Sequence, residues 1–122
     1  MSDVVDHDRT DRPWYSQPAP GEGSGPPIQQ LVLEDVRGRG WMEVAGDVLE
    51  RWCFGQRKYG NVGLRAHDGR RNDGDAYAEA LDLAVYCRKG LAEGDPVHAE
   101  YELALELVRR FRTRLARYPG GS

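Results

Sequence analysis

With 122 residues, 39% of them hydrophobic, and a mean hydropathy of −0.70, the chain has room for one small domain with a modest core and little for a second. Its 17 basic and 20 acidic residues leave a net charge of −3, so the basic excess of a bulk DNA or RNA binder is missing. No run approaches the roughly 18–20 apolar residues of a membrane helix, and the acidic opening MSDVVDHDRTDRP is unlike a basic, then greasy, secretory leader; a cytoplasmic protein without membrane contact is expected.

Residues 1–27 carry Asp3, Asp6, Asp8, Asp11 and Glu22 against Arg9 and Arg12, which accounts for the whole net charge. Prolines and glycines crowd this segment, with QPAPGEGSGPP as the densest block, and such a composition buries too little apolar surface to offset its ordering entropy. A flexible tail over 1–27 is expected, followed by a helical domain over 28–122. Trp14 and Tyr15, the only aromatics of the tail, either dock on a folded surface or stay exposed.

IQQLVLEDV (28–36) reads as a short helix or as an extended lead-in, and RGRG (37–40) breaks its pattern. From Trp41 to Lys58, apolar residues recur at spacings of three and four, including Trp41, Val44, Ala45, Val48, Leu49 and Trp52, as on the buried stripe of an amphipathic helix. Glu43, Asp47 and Glu50 cluster on the opposite side. That position usually means water, but Phe54 stands among these acids and suggests a covered surface. The stretch YGNVGLRAHDGRRNDG (59–74) has four glycines and no periodicity, and reads as a loop.

A second clear helix is expected from Asp75 to Lys89, capped by Gly90 in the left-handed conformation. Asp95 reads as the N-cap of a third, with Pro96 in its first turn. That helix is acidic early (Glu100, Glu102, Glu106) and basic late (Arg109, Arg110, Arg112, Arg114, Arg117), as the helix dipole favours. Tyr101, Ala104, Leu105, Val108, Phe111 and Leu115 form its expected buried stripe. Cys53 and Cys87 lie within helical patterns and read as buried thiols. The fold expected is all-α, a small antiparallel bundle of three main helices with a possible short N-terminal one. Its core is thin for a monomer, so completion by oligomerisation is expected.

The chemistry concentrates in GDAYAEALDLAVYCRK (74–89). At 100° per residue, Asp75, Glu79 and Asp82 fall within a sector about 60° wide, which Tyr86 extends. A solvated helix face is the ordinary meaning of such acids. Yet a solvated face normally mixes bases with acids, and no base appears here until Arg88. Aligned carboxylates repel unless a cation lies among them, and oxygen ligands suit a hard divalent ion such as Mg²⁺, which keeps several waters and shares phosphate oxygens with a substrate. The preceding segment supplies cations for phosphate: Arg57, Lys58, Arg65, His67, Arg70 and Arg71, with glycines between that let backbone amides approach.

These residues resemble a known pattern. GQRKYG, then HDGR, then DAYAEALDLAVYCRK is similar to the short phage-type members of the MazG-like nucleoside triphosphate pyrophosphohydrolases, an all-α family; the similarity runs from about Trp41 to Leu91. The family holds Mg²⁺ through a Glu-x-x-Glu pair on one helix and a Glu-x-x-Asp pair on the next. The resemblance assigns the second pair to Glu79 and Asp82 and the first to Asp47 and Glu50, with aspartate in place of the first glutamate. It departs at Gly46, where the family has a further glutamate, and in the loop, where YGNVGL lacks a common proline and HDGR lacks the usual asparagine.

The resemblance implies hydrolysis of a (deoxy)nucleoside triphosphate to the monophosphate and pyrophosphate, with Mg²⁺ or alternatively Mn²⁺, in a cytoplasm that is the host's if the chain is phage-encoded. Glu79 and Asp82 would be principal ligands, with Asp75 or Glu50 completing the shell or orienting the attacking water. Lys58, Arg70 and Arg71 would stabilise phosphate charge, and His67 would contact a phosphate or simply be exposed. Tyr86 and Tyr59 would pack against base or ribose, or serve the core. A homodimer or homotetramer is the expected assembly. Two other classes stay open: a catalytically silent nucleotide binder, suggested by the substituted first pair, and a helical adaptor with merely solvated acids.

Overall fold

The computed structural model describes residues 19–59 and 63–116. Among these it is all-helical, with four helices in chain order: α1 (Ile28–Gly38), α2 (Met42–Tyr59), α3 (Asn72–Ala92) and α4 (His98–Leu115). They form two units, one over residues 18–70 and one beginning at Arg71. No helix among the described residues is long and apolar enough to cross a membrane.

In the first unit α1 packs on α2 as a helical hairpin. The segment 28–36 is helical, and RGRG ends it: Gly40 takes φ +76°, its N–H donates to the Arg37 carbonyl at 2.9 Å, and the Trp41 N–H donates to the Val36 carbonyl at 3.0 Å. Those two bonds are a Schellman stop, which satisfies carbonyls the helix end leaves orphaned. Leu33 and Ala45 are the buried apolar residues of this hairpin. Trp41, Val44 and Leu49, expected on the buried stripe, are exposed instead, because α1 is short and covers only part of α2; the Arg39 guanidinium lies over the Trp41 ring at 5.4 Å.

The segment leading into α1 is strapped to residues 63–68. Gly21, Ser24 and Ile28 donate backbone N–H groups to the carbonyls of Asp68 (2.6 Å), Ala66 (2.7 Å) and Leu64 (2.7 Å), and the Arg65 guanidinium donates to the Gly25 carbonyl at 2.6 Å. Residues 21–27, read from composition as tail, therefore pair their backbone with the loop; residues 1–18, with Trp14 and Tyr15, lie outside the described residues. Gly23 permits the strap. It has φ +68°, and a Cβ there would sit 2.6 Å from the Ala66 carbonyl oxygen and 2.8 Å from the Arg65 Cβ. Gly23→Ala is expected to cost about 1–3 kcal/mol of local stability, read as faster amide hydrogen exchange at Ser24 and Ile28 with exchange in α4 unchanged.

In the second unit α3 packs on α4, and Asp73 at the start of α3 reaches Arg114 at the end of α4 (3.5 Å), so the pair is antiparallel. The sequence places 72–74 in a loop and starts the helix at Asp75, whereas α3 already begins at Asn72 and buries Gly74. The far end also differs. Gly90 lies inside the helix, and the left-handed residue is Gly94 (φ +93°), with the Asp95 N–H on the Gly90 carbonyl (2.8 Å) and the Gly94 N–H on the Leu91 carbonyl (3.1 Å). Gly90 serves close approach: a Cβ there would meet Asp95 Oδ2 and Val97 Cγ2 at 3.1 Å. Asp95 thus completes the stop of α3, and the N-cap of α4 is Val97, without a side-chain capping bond.

Ala80, Ala104 and Leu115 are the buried apolar residues of this hairpin, the two alanines letting the helices approach closely. Tyr101, Val108 and Phe111 are half-buried, while Leu105 is exposed. Cys53 and Cys87 are free thiols and only half-buried.

Candidate functional site

Helix α3 carries the acid stripe as one unbroken element. At 100° per residue Asp73 and Ala80 share a face, and Asp73 pairs with α4; Asp75, Glu79 and Asp82 fall on the side turned away. Glu79 and Asp82 are exposed and Asp75 is half-buried. Within this hairpin, among the described residues, no ion pair or hydrogen bond engages the side chain of Glu79 or Asp82. Tyr86, on the same face, is 72% exposed, so it is no core residue.

Asp47 and Glu50 stand one turn apart on α2, both exposed, together with Glu43. Phe54, read as the mark of a covered surface, is itself exposed. These acids belong to the first hairpin, and Asp75, Glu79 and Asp82 to the second. Among the described residues no three His, Cys, Asp or Glu side chains stand together as a ready-made ligand set. The donor chemistry still fits a hard divalent ion: carboxylate oxygens at helical spacing, two of them without a competing cation in their own hairpin.

The predicted phosphate cations are divided. His67 is exposed, in the left-handed region at φ +61°. Arg70 is half-buried, and its backbone N–H donates to Asp68 Oδ1 at 3.1 Å. Arg71 precedes the first turn of α3, with its Nε and one terminal nitrogen withdrawn from solvent. Arg65 is committed to the Gly25 carbonyl. Lys58 and Tyr59 end α2, and their side chains lie outside the described residues.

Two features were not among the predicted sites. On α4, Arg109, Arg110 and Arg114 border a shallow hollow of about 280 Å³. Hydrogen bonds from Arg109 and then Arg110 (2.8 Å) hold the Glu106 carboxyl below its ordinary range, so its negative charge offsets part of that cluster. On the first hairpin, a concave groove of about 490 Å³ runs between α1 and α2, and Asp47 lies on its lining. Its signal was present in Val44, Val48 and Trp52, which read only as a buried stripe. Compared with protein families, with curated proteins and with solved structures, the chain matches none.

Proposed function

We propose that this protein hydrolyses (deoxy)nucleoside triphosphates to the monophosphate and pyrophosphate with Mg²⁺, for which Mn²⁺ can substitute. The observation that carries the reading is the acid face of α3, where Asp75, Glu79 and Asp82 lie on one helix, away from α4, with Glu79 and Asp82 unengaged in their hairpin. Glu79 and Asp82 stand one turn apart as like charges, neither engaged in its own hairpin, and a divalent ion converts their repulsion into binding. The resemblance of KYG and DAYAEALD to the MazG-like enzymes points to the same chemistry.

Glu79 and Asp82 are the principal ligands in this reading; Asp47 and Glu50 are a separate candidate pair on the first hairpin. When bound, the ion supplies Lewis acidity and a template for the phosphates. Asp75 or Glu50 orients a water toward the α-phosphorus and accepts its proton at a carboxylate oxygen. The new bond joins the water oxygen to the α-phosphorus. The bond that breaks joins that phosphorus to the α,β-bridging oxygen, which leaves with pyrophosphate. Lys58, Arg70 and Arg71 neutralise phosphate charge, and positioning of this kind dominates phosphoryl chemistry; His67 and Tyr59 are placed nearby in sequence, and Tyr86 offers a ring beside the acids.

Oligomerisation belongs to the same proposal. Val85 (65% exposed) on α3 and Leu103 (66% exposed) on α4 leave apolar surface that a second copy would cover in a homodimer or homotetramer.

The test is pyrophosphate release from a panel of NTPs and dNTPs with Mg²⁺, with Mn²⁺ and with chelator. Metal-dependent release from at least one substrate is expected, and chelation is expected to abolish it. A rise in melting temperature with nucleotide and Mg²⁺ but no release would instead favour a silent nucleotide binder. Neither effect would leave the acids as a wet face.

A further inference from the structure

Resting on that reading, we infer that the groove of the first hairpin receives the nucleobase of the substrate. Val44, Val48 and Trp52 on α2 and Ile28 and Val32 on α1 form two apolar walls, and Leu64 adds a third. The third wall is held in place: the Leu64 N–H donates to Gln29 Oε1 at 3.0 Å, and the Leu64 carbonyl accepts the Ile28 N–H at 2.7 Å. Gly63 lets this wall close in. A Cβ there would lie 2.5 Å from Gln29 Oε1 and 3.0 Å from Trp52 Nε1.

The volume, about 490 Å³, lies in the range of small-ligand sites, and the lining has their usual make-up, mostly apolar with a few polar groups. Those groups are Gln29, Asp47 and Arg51. Asp47 and Arg51 are one turn apart, and among the described residues neither side chain is engaged within the hairpin. They offer an acceptor and a donor one turn apart on the lining of a mostly apolar groove, with the Gln29 amide NH₂ as a further donor. A nucleobase matches this pattern: flat apolar faces, and an edge bearing donors and acceptors. A purely hydrocarbon ligand would leave Asp47 and Arg51 unused, and a third wall interrupts the open trough that a docking helix needs.

Asp47 joins the groove to the chemistry, because it lines the groove and belongs to the proposed metal pair with Glu50.

The full-length protein is titrated with nucleosides in the absence of metal, following the Trp52 indole N–H by NMR, with Val44→Phe and Val32→Phe as groove-filling variants. Both positions are exposed, so neither change intrudes on buried packing. The inference expects nucleosides to shift the Trp52 signal, and each variant to weaken nucleoside binding and raise KM for NTPs by about tenfold or more at unchanged melting temperature. Nucleoside binding and KM that match wild type in both variants would overturn the groove while leaving hydrolysis intact. Groove-dependent nucleoside binding without any NTP turnover would keep the groove and overturn the hydrolase reading. Absence of both would overturn both.

Discussion

Glu79→Ala is expected to lower Mg²⁺-dependent pyrophosphate release by about 10²–10³-fold, the rate equivalent of the several kcal/mol that a correctly held ion contributes. The same change is expected to leave folding stability within about 0.5 kcal/mol of wild type, because Glu79 is exposed on the face of α3 turned away from α4. Removing one of three aligned like charges even relieves some repulsion. Glu79→Gln keeps the size and removes the charge, so it should match the alanine variant in activity. The stabilisation that Mg²⁺ and nucleotide give by mass action should shrink with it. The two readouts separate the readings. A structural acid would change stability and activity together, a solvated acid would change neither, and a ligand changes activity and metal response alone. Activity equal to wild type in Glu79→Ala would remove α3 from the chemistry altogether.

How much of this was legible before the structure follows from where each signal resides. Helix α2 was legible to within one residue at either end, because its period is local and a Schellman stop at Gly40 precedes it. The ends of α3 and α4 were not. Gly90 and Asp95 each carry a cap signal that a nearby contact overrides: the turn folds back over Gly90, and Asp95 is taken up in the stop that follows. Residues 72–74 read as loop because Asn, Asp and Gly favour turns, yet Asp73 is held by Arg114 on α4, a contact no local pattern contains. The alignment of Asp75, Glu79 and Asp82 was legible, since it needs only a helix. The groove was not, because the bond that sets its third wall joins Gln29 and Leu64 across 35 positions. Trp52 and Val48 show the same limit: periodicity identifies an apolar face without saying whether a helix or a ligand covers it.

Leu115→Ala is expected to cost about 2–5 kcal/mol of stability, the usual range for truncating a buried leucine. Leu115 is 1% exposed and is the largest fully buried side chain among the described residues, near the end of α4 where Arg114 meets Asp73. The other buried apolar residues of that hairpin are Ala80 and Ala104, the latter at 0% exposure. A small domain is stabilised by only about 5–15 kcal/mol, and the variant should therefore melt well below wild type, with the denaturant midpoint lowered and the slope kept. Leu103→Ala is the informative partner. Leu103 is 66% exposed, and in an isolated chain its truncation should change stability by less than about 0.5 kcal/mol. If a second copy covers that surface, the Leu103→Ala loss instead grows as the protein is diluted, whereas the Leu115→Ala loss is present at every concentration. Equal, concentration-independent losses in the two variants would mean that Leu103 is buried within a single chain, contrary to its position on α4.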